Sequence, residues 1–89
     1  MKDVATTERH LVFVPHPVHP GTLRQKLRER IGSDLDFVRE CGSQTGVWVS
    51  LWRGPVVNNA VTNSRRLVAQ VADVHEWDVI GTTVDVMTE

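Results

Sequence analysis

The chain has 89 residues, a net charge of −1, 40% hydrophobic and 24% charged residues, and one cysteine. These values are typical of one ordinary globular domain, and they give no general reason to expect binding to DNA or to a membrane. The single cysteine excludes an internal disulfide, and the lack of a long apolar run, together with a polar N-terminus, predicts a cytoplasmic protein without a membrane span.

The chain begins with a polar stretch, residues 1–9, which we expect to be a flexible tail. Residues 10–14 (HLVFV) form a short apolar, β-rich run that predicts a strand. Residues 15–21 hold three of the four prolines and predict a stiff loop. A helix is then predicted over residues 22–31, with an apolar side chain at every fourth position and Gly32 as its C-terminal cap.

The middle of the chain predicts a hairpin, because two strand-like segments, 36–41 and 47–53, flank the glycine-bounded turn 42–46. Beyond Pro55 the apolar spacing to Val74 favours a second helix, although valine and asparagine are mediocre helix formers. The alternative is that residues 66–71 (RLVAQV) pair as a strand.

The last predicted strand covers residues 77–87. The more apolar of its two alternating sets is expected to face the core. That set is Ile80, Thr82, Val84 and Val86. Gly81 is a candidate for a β-bulge.

The predicted order is β-α-β-β-α-β over residues 10–88, a single α+β domain. Its simplest packing is the ferredoxin-like split βαβ arrangement, a four-stranded antiparallel sheet with two helices on one face. The other face then stays open. If Val47, Val49 and Leu51 face the helices, the alternate residues of that strand face outward. These are Trp48, Ser50 and Trp52. Exposed aromatic patches are rare on monomers, so we expect them to form a homodimer interface.

The element order and the Pro20-Gly21-Thr22-Leu23 turn between the first strand and helix resemble the ACT domain, a family of small regulatory domains. The resemblance implies a ferredoxin-like fold, pairing of domains, and a small ligand bound near these four residues. The residue before the turn is His19 rather than the acidic residue often found in such families.

The same topology is similar to that of RNA-recognition motifs, and Val12-Phe13-Val14 is similar to their first-strand motif. In the third strand the tryptophans lie one position away from the expected stacking residues, and a shift of one residue exchanges the faces of a sheet. A single-stranded nucleic-acid-binding module is therefore an alternative function, with tryptophans stacking on bases. Its phosphate contacts would be the basic residues of the first helix, Arg24, Lys26, Arg28 and Arg30.

Candidates for chemistry are few. His16 and His19 could be two ligands of a metal ion, but a zinc site needs three or four, so we expect no metal and no cofactor. Cys41 fits a small hydrophobic side chain better than a nucleophile. The sequence therefore predicts a non-catalytic interaction or regulatory module. A further alternative is a small phage or mobile-element protein that binds and modulates a host protein.

Overall fold

Four strands and two helices alternate as β-α-β-β-α-β in the computed structural model, which describes residues 6–43 and 45–88. The elements are β1 (Thr6–Val14), α1 (Pro20–Ile31), β2 (Leu35–Glu40), β3 (Val47–Arg53), α2 (Ala60–Ala72) and β4 (Ile80–Thr88). Two short 3₁₀ turns, Gly32–Asp34 and Glu76–Asp78, precede β2 and β4.

The sheet has the strand order β2-β3-β1-β4, and each neighbouring pair is antiparallel. In this order β3 lies between β1 and β2, and β1 lies between β3 and β4. Each βαβ unit thus holds one inserted strand between its two parallel strands, which is the split βαβ arrangement. The predicted α+β fold is confirmed.

The core lies between the two helices and one face of the sheet. Leu23 and Leu27 of α1 and Val68 of α2 are essentially inaccessible to solvent. They pack against a row of aliphatic side chains from three strands: Val12, Val14, Val38, Val47, Val49 and Leu51. Because successive strand residues alternate between faces, these positions fix which side chains the sheet turns away from the helices.

Helix α1 begins at Pro20, two residues before the predicted start. His19 caps it, since its Nδ1 accepts a hydrogen bond of 3.1 Å from the backbone N–H of Thr22. Pro20 suits the first helical position because its missing N–H would have no partner there. The helix ends at Gly32, whose φ of 55° favours glycine.

Two other boundaries differ from the prediction. Strand β1 begins at Thr6, so residues 6–9 of the expected tail are part of the sheet, while residues 1–5 lie outside the described residues. Helix α2 begins only at Ala60, after Asn59 adopts a left-handed conformation with φ 63°. Asparagine tolerates this conformation and so favours a turn before the helix. Residues 66–71 are helical.

The prediction that Ile80 and Thr82 of β4 face the core was wrong. Ile80 pairs with Phe13 and Thr82 pairs with Leu11, so both face away from the helices. Gly81 faces α2 instead, where a Cβ would lie 2.6 Å from Cγ of Arg65. A side chain at this position would require Arg65 of α2 to move. Arg9 pairs with Asp85, but His10 pairs with Thr83. Val84 is therefore an extra residue of β4 without a pairing partner in β1, and the bulge lies there rather than at Gly81.

Within the described part of the chain, neither helix has the length and apolar character needed to cross a membrane.

Candidate interaction surface

The sheet face turned away from both helices carries an ordered array of side chains. We call this surface the open face. Strand pairing assigns to it Arg9, Leu11, Phe13, Phe37, Arg39, Trp48, Ser50, Trp52, Ile80, Thr82 and Asp85. Helices α1 and α2 pack against the opposite face, so neither of them covers it.

One row of the open face crosses all four strands and is mainly apolar. It runs from Arg39 through Trp48 and Phe13 to Ile80. The rings of Trp48 and Phe13 have centroids 4.6 Å apart and are tilted by 39°, a favourable aromatic contact. Ile80, at the end of the row, is 65% exposed. The next row adds Phe37 and Leu11.

A polar network crosses the same face at the level of Trp52. The guanidinium of Arg9 donates to Asp85 at 2.8 Å and to the Ser50 hydroxyl at 3.0 Å. Ser50 in turn donates to Asp36 at 3.0 Å. The four side chains come from four different strands. Each carboxylate of the network is therefore hydrogen-bonded within the protein, which lowers the cost of removing it from water.

The structure brings Trp48, Ser50 and Trp52 together on the open face, but their exposure differs from the expectation. Ser50 is fully buried within the polar network, and both tryptophans are only partly exposed because neighbouring side chains cover them. Arg9, the centre of the network, was missed because residues 1–9 were expected to be a tail. Arg9, Leu11 and Phe13 are alternate residues, and alternate residues of a strand share a face, so this spacing in the sequence could have indicated that Arg9 lies on the open face.

The four residues of the ACT-like turn do not form one surface. Pro20 lines a cavity of about 410 Å³ with His16, His19 and Cys41, a volume with room for a small molecule. Leu23, in contrast, is a core residue and is 2% exposed. Gly21 and Thr22 belong to the first turn of α1. A ligand bound near this turn stays a prediction, with Pro20 as the residue that lines the cavity.

The basic residues of α1 are divided between two sides of the helix. Arg24 and Arg28 line an open groove against β2. Lys26 lines a different groove, toward α2, together with Asp73. Because residues four apart share a helix face and residues two apart do not, the four cations do not act as one patch.

The described residues contain no group of three or more histidine, cysteine, aspartate or glutamate side chains placed to hold a metal ion. His16 and His19 line one cavity with Cys41, but each histidine has another partner. Nε2 of His16 lies 3.3 Å from Asp78, and Nδ1 of His19 caps α1.

A buried serine and histidine and a partly buried glutamate lie in hydrogen-bonding contact, which no sequence motif indicated. Nδ1 of His10 is 2.6 Å from Oγ of Ser64, and Nε2 is 2.9 Å from Glu8. The residue types match a hydrolytic triad, in which the serine must reach a substrate. Here Ser64 and His10 are both fully buried. The contact joins α2 to β1, and it gives a substrate no access to the hydroxyl.

Trp77 is the most exposed large hydrophobic side chain, at 76%. It lies in the 3₁₀ turn Glu76–Asp78 rather than in β4, and its ring stacks on His75 with centroids 6.3 Å apart. The acidic residues beside it in sequence indicated a turn more than a strand.

Comparisons with protein-family models, with curated proteins and with solved structures give no match to this chain.

Proposed function

We propose that this protein is a non-catalytic interaction module that forms a homodimer through the open face. The observation that carries the proposal is the apolar row from Trp48 through Phe13 to the exposed Ile80 on a sheet face that neither helix covers. Apolar surface of this kind is stabilised when water is removed from it. A two-fold arrangement would bury the row of each copy against the other copy.

The size of the open face supports a weak dimer. Strand β3 has seven residues, which at about 3.3 Å per residue spans about 23 Å. Four strands about 4.8 Å apart give a face of about 440 Å² per copy. Two such faces total about 880 Å², which is less than the roughly 1,200–2,000 Å² that stable specific interfaces bury and is in the range of weak, transient contacts. We therefore expect an association that depends on protein concentration.

The polar network is compatible with burial in such an interface. Arg9 pairs with Asp85 at 2.8 Å and approaches Asp36 at 3.8 Å within the same protomer. Arg9 is shared by both carboxylates, so the network keeps one net negative charge. Its hydrogen bonds to Asp85 and, through Ser50, to Asp36 offset part of the cost of burying that charge.

The same face has a second conceivable use, the stacking of nucleic-acid bases. Trp48 and Phe13 are packed on each other; Trp48 is partly exposed and Phe13 is buried. A base would have to compete with these ring contacts, whereas a second copy could cover the face without separating the rings. The face also carries the carboxylates Asp36 and Asp85, which repel phosphates. Self-association is therefore the better-supported function.

Ile80→Lys tests the proposal. The substitution places a charge in the apolar row, and we expect a folded protein that stays monomeric at concentrations where the wild type dimerises. Ile80 is preferred to Trp48 because it is exposed and makes little contribution to the core. The measurement is the mass by light scattering after size-exclusion chromatography, over a concentration series.

Val57→Lys is the matched control, because Val57 is 62% exposed and lies in the loop between β3 and α2, away from the open face. It should dimerise like the wild type. A wild type that is monomeric at all concentrations would contradict the proposal, and so would an Ile80→Lys variant that dimerises normally.

A further inference from the structure

The free edge of β2, at the margin of the open face, carries a concentration of positive charge. An open groove of about 670 Å³ runs along this edge, between α1 and β2. Three arginines line it, Arg24 and Arg28 from α1 and Arg39 from β2. Among the described residues, none of the three forms an ion pair within 4 Å.

Two of these guanidinium groups are held in place by contacts with the sheet. Arg24 donates a hydrogen bond of 2.7 Å to the carbonyl oxygen of Val38. Arg39 lies over the ring of Phe37, with its guanidinium carbon 4.6 Å from the ring centroid. Arg28 follows Arg24 by one helical turn and lines the same groove. Preorganised donors lose less conformational entropy when a ligand binds.

The carboxylates of the groove leave an excess of positive charge. Asp36 already accepts a hydrogen bond from Ser50 and lies 3.8 Å from Arg9. Glu40 is exposed and forms no ion pair within 4 Å in the described part of the chain. The groove therefore has three arginines against two carboxylates, a net charge of +1, in a concave site of ligand size.

We infer that this groove binds a phosphate group. Guanidinium groups bind phosphate in a bidentate manner, and a phosphate with several terminal oxygens can use more than one arginine, which a single carboxylate does less well. An acidic peptide added as a strand is disfavoured, because Arg24 occupies the carbonyl oxygen of Val38 at the free edge. The aromatic Phe37 beside Arg39 adds a planar surface next to the phosphate site.

The test uses three probes at low ionic strength, measured by isothermal titration calorimetry. Inorganic tripolyphosphate represents a free phosphate ligand, a short deoxythymidine oligonucleotide represents a nucleic-acid backbone, and a glutamate peptide represents carboxylates. We expect tripolyphosphate, the oligonucleotide or both to bind. If only one of them binds, it shows whether the phosphate belongs to a free ligand or to a nucleic-acid backbone. If neither binds, or if the glutamate peptide binds as tightly, the inference is wrong.

Variants of the exposed arginines locate the site. Arg28→Ala and Arg39→Ala should each weaken phosphate binding by about 5- to 10-fold and lower the slope of log affinity against log salt by about 1. Arg30→Ala is the matched control, because Arg30 lies on the same helix but does not line the groove. An equal loss in Arg30→Ala would overturn the assignment.

Glu40→Gln provides a test in the opposite direction. Removal of the Glu40 charge, one of the two carboxylates in the groove, should tighten phosphate binding about 2- to 5-fold, because the repulsion between like charges decreases. A purely structural effect on β2 would not strengthen binding. Unchanged or weaker binding by a variant with wild-type circular dichroism would overturn the role of this groove.

Discussion

His10 is a fully buried ionisable side chain whose two ring nitrogens both have partners. The Glu8 carboxylate accepts a hydrogen bond from Nε2, and Nδ1 can therefore accept one from the Ser64 hydroxyl. Thr83 of β4 donates a further hydrogen bond of 3.2 Å to Glu8. Three elements, β1, β4 and α2, are thus joined through one imidazole ring.

Ser64→Ala should lower the free energy of unfolding by about 1–3 kcal/mol, because it leaves Nδ1 of His10 without a partner in a dry site. Urea denaturation followed by circular dichroism measures the change. Asn63→Ala is the control, since Asn63 is an exposed neighbour on the same helix, and it should change the stability by about 0.5 kcal/mol or less. Equal stability of the two variants would contradict the structural role of the contact.

At the scale of elements, α2 and β4 are joined by one arginine. Arg65 donates hydrogen bonds of 3.0 Å to the carbonyl oxygens of Val79 and Glu76. It thereby holds the turn that leads into β4. The aliphatic part of the same side chain lies over Gly81. The absence of a Cβ at Gly81 is what permits this contact.

We therefore expect Gly81→Ala to destabilise the protein, although alanine restricts the unfolded chain more than glycine does. The added Cβ would lie 2.6 Å from Cγ of Arg65, and overpacking of this kind costs about 1–3 kcal/mol. Gly42→Ala is the control, because nothing lies within 4 Å of a Cβ at that position. Thermal unfolding compares the two. A Gly81→Ala variant as stable as Gly42→Ala would show that Arg65 moves without cost.

The number, order and type of the elements could be predicted from the sequence, because each has a clear hydrophobic period. The face that the first residues of β4 turn toward the helices could not be predicted. Its more apolar set of residues includes Ile80, and the usual rule places such a set in the core. The rule failed for the start of β4 because the side chain of Arg65 from α2 lies over Gly81, a tertiary contact that strand alternation does not show. Ile80 and Thr82 instead lie on the open face, and the bulge at Val84 reverses the alternation beyond them.

The candidate sites were only partly predictable for a related reason. The alternation of β3 placed Trp48 and Trp52 on one face, which needs only the strand period. The polar network needed the partner strands and their register. Arg9 lies beside Trp52 and Asp85 only after β1 is extended to Thr6. The division of the basic residues of α1 likewise depends on where β2 lies.

At the scale of the whole molecule, the acidic turn before β4 has ion-pair partners within one copy. The acidic turn before β4 contacts basic groups of the same chain. Arg66 pairs with Glu76 at 2.9 Å, and His16 lies 3.3 Å from Asp78. Little unpaired negative charge therefore remains at this turn to attract the basic residues of α1 in another copy. Self-association through the open face should then rest on apolar contact.

An interface held by apolar contact and an interface held by charge attraction respond differently to salt, which gives a prediction for the dimer. Apolar contact does not depend on screening, and the charges of Arg9, Asp36 and Asp85 are paired within each protomer. We expect the dimer dissociation constant to change by less than about 2-fold between low and high sodium chloride. Sedimentation equilibrium over a salt series measures it. A dissociation constant that rises about 10-fold or more at high salt would mean that complementary charges hold the copies together. Phosphate binding in the β2 groove serves as the internal comparison, because it should fall steeply over the same series.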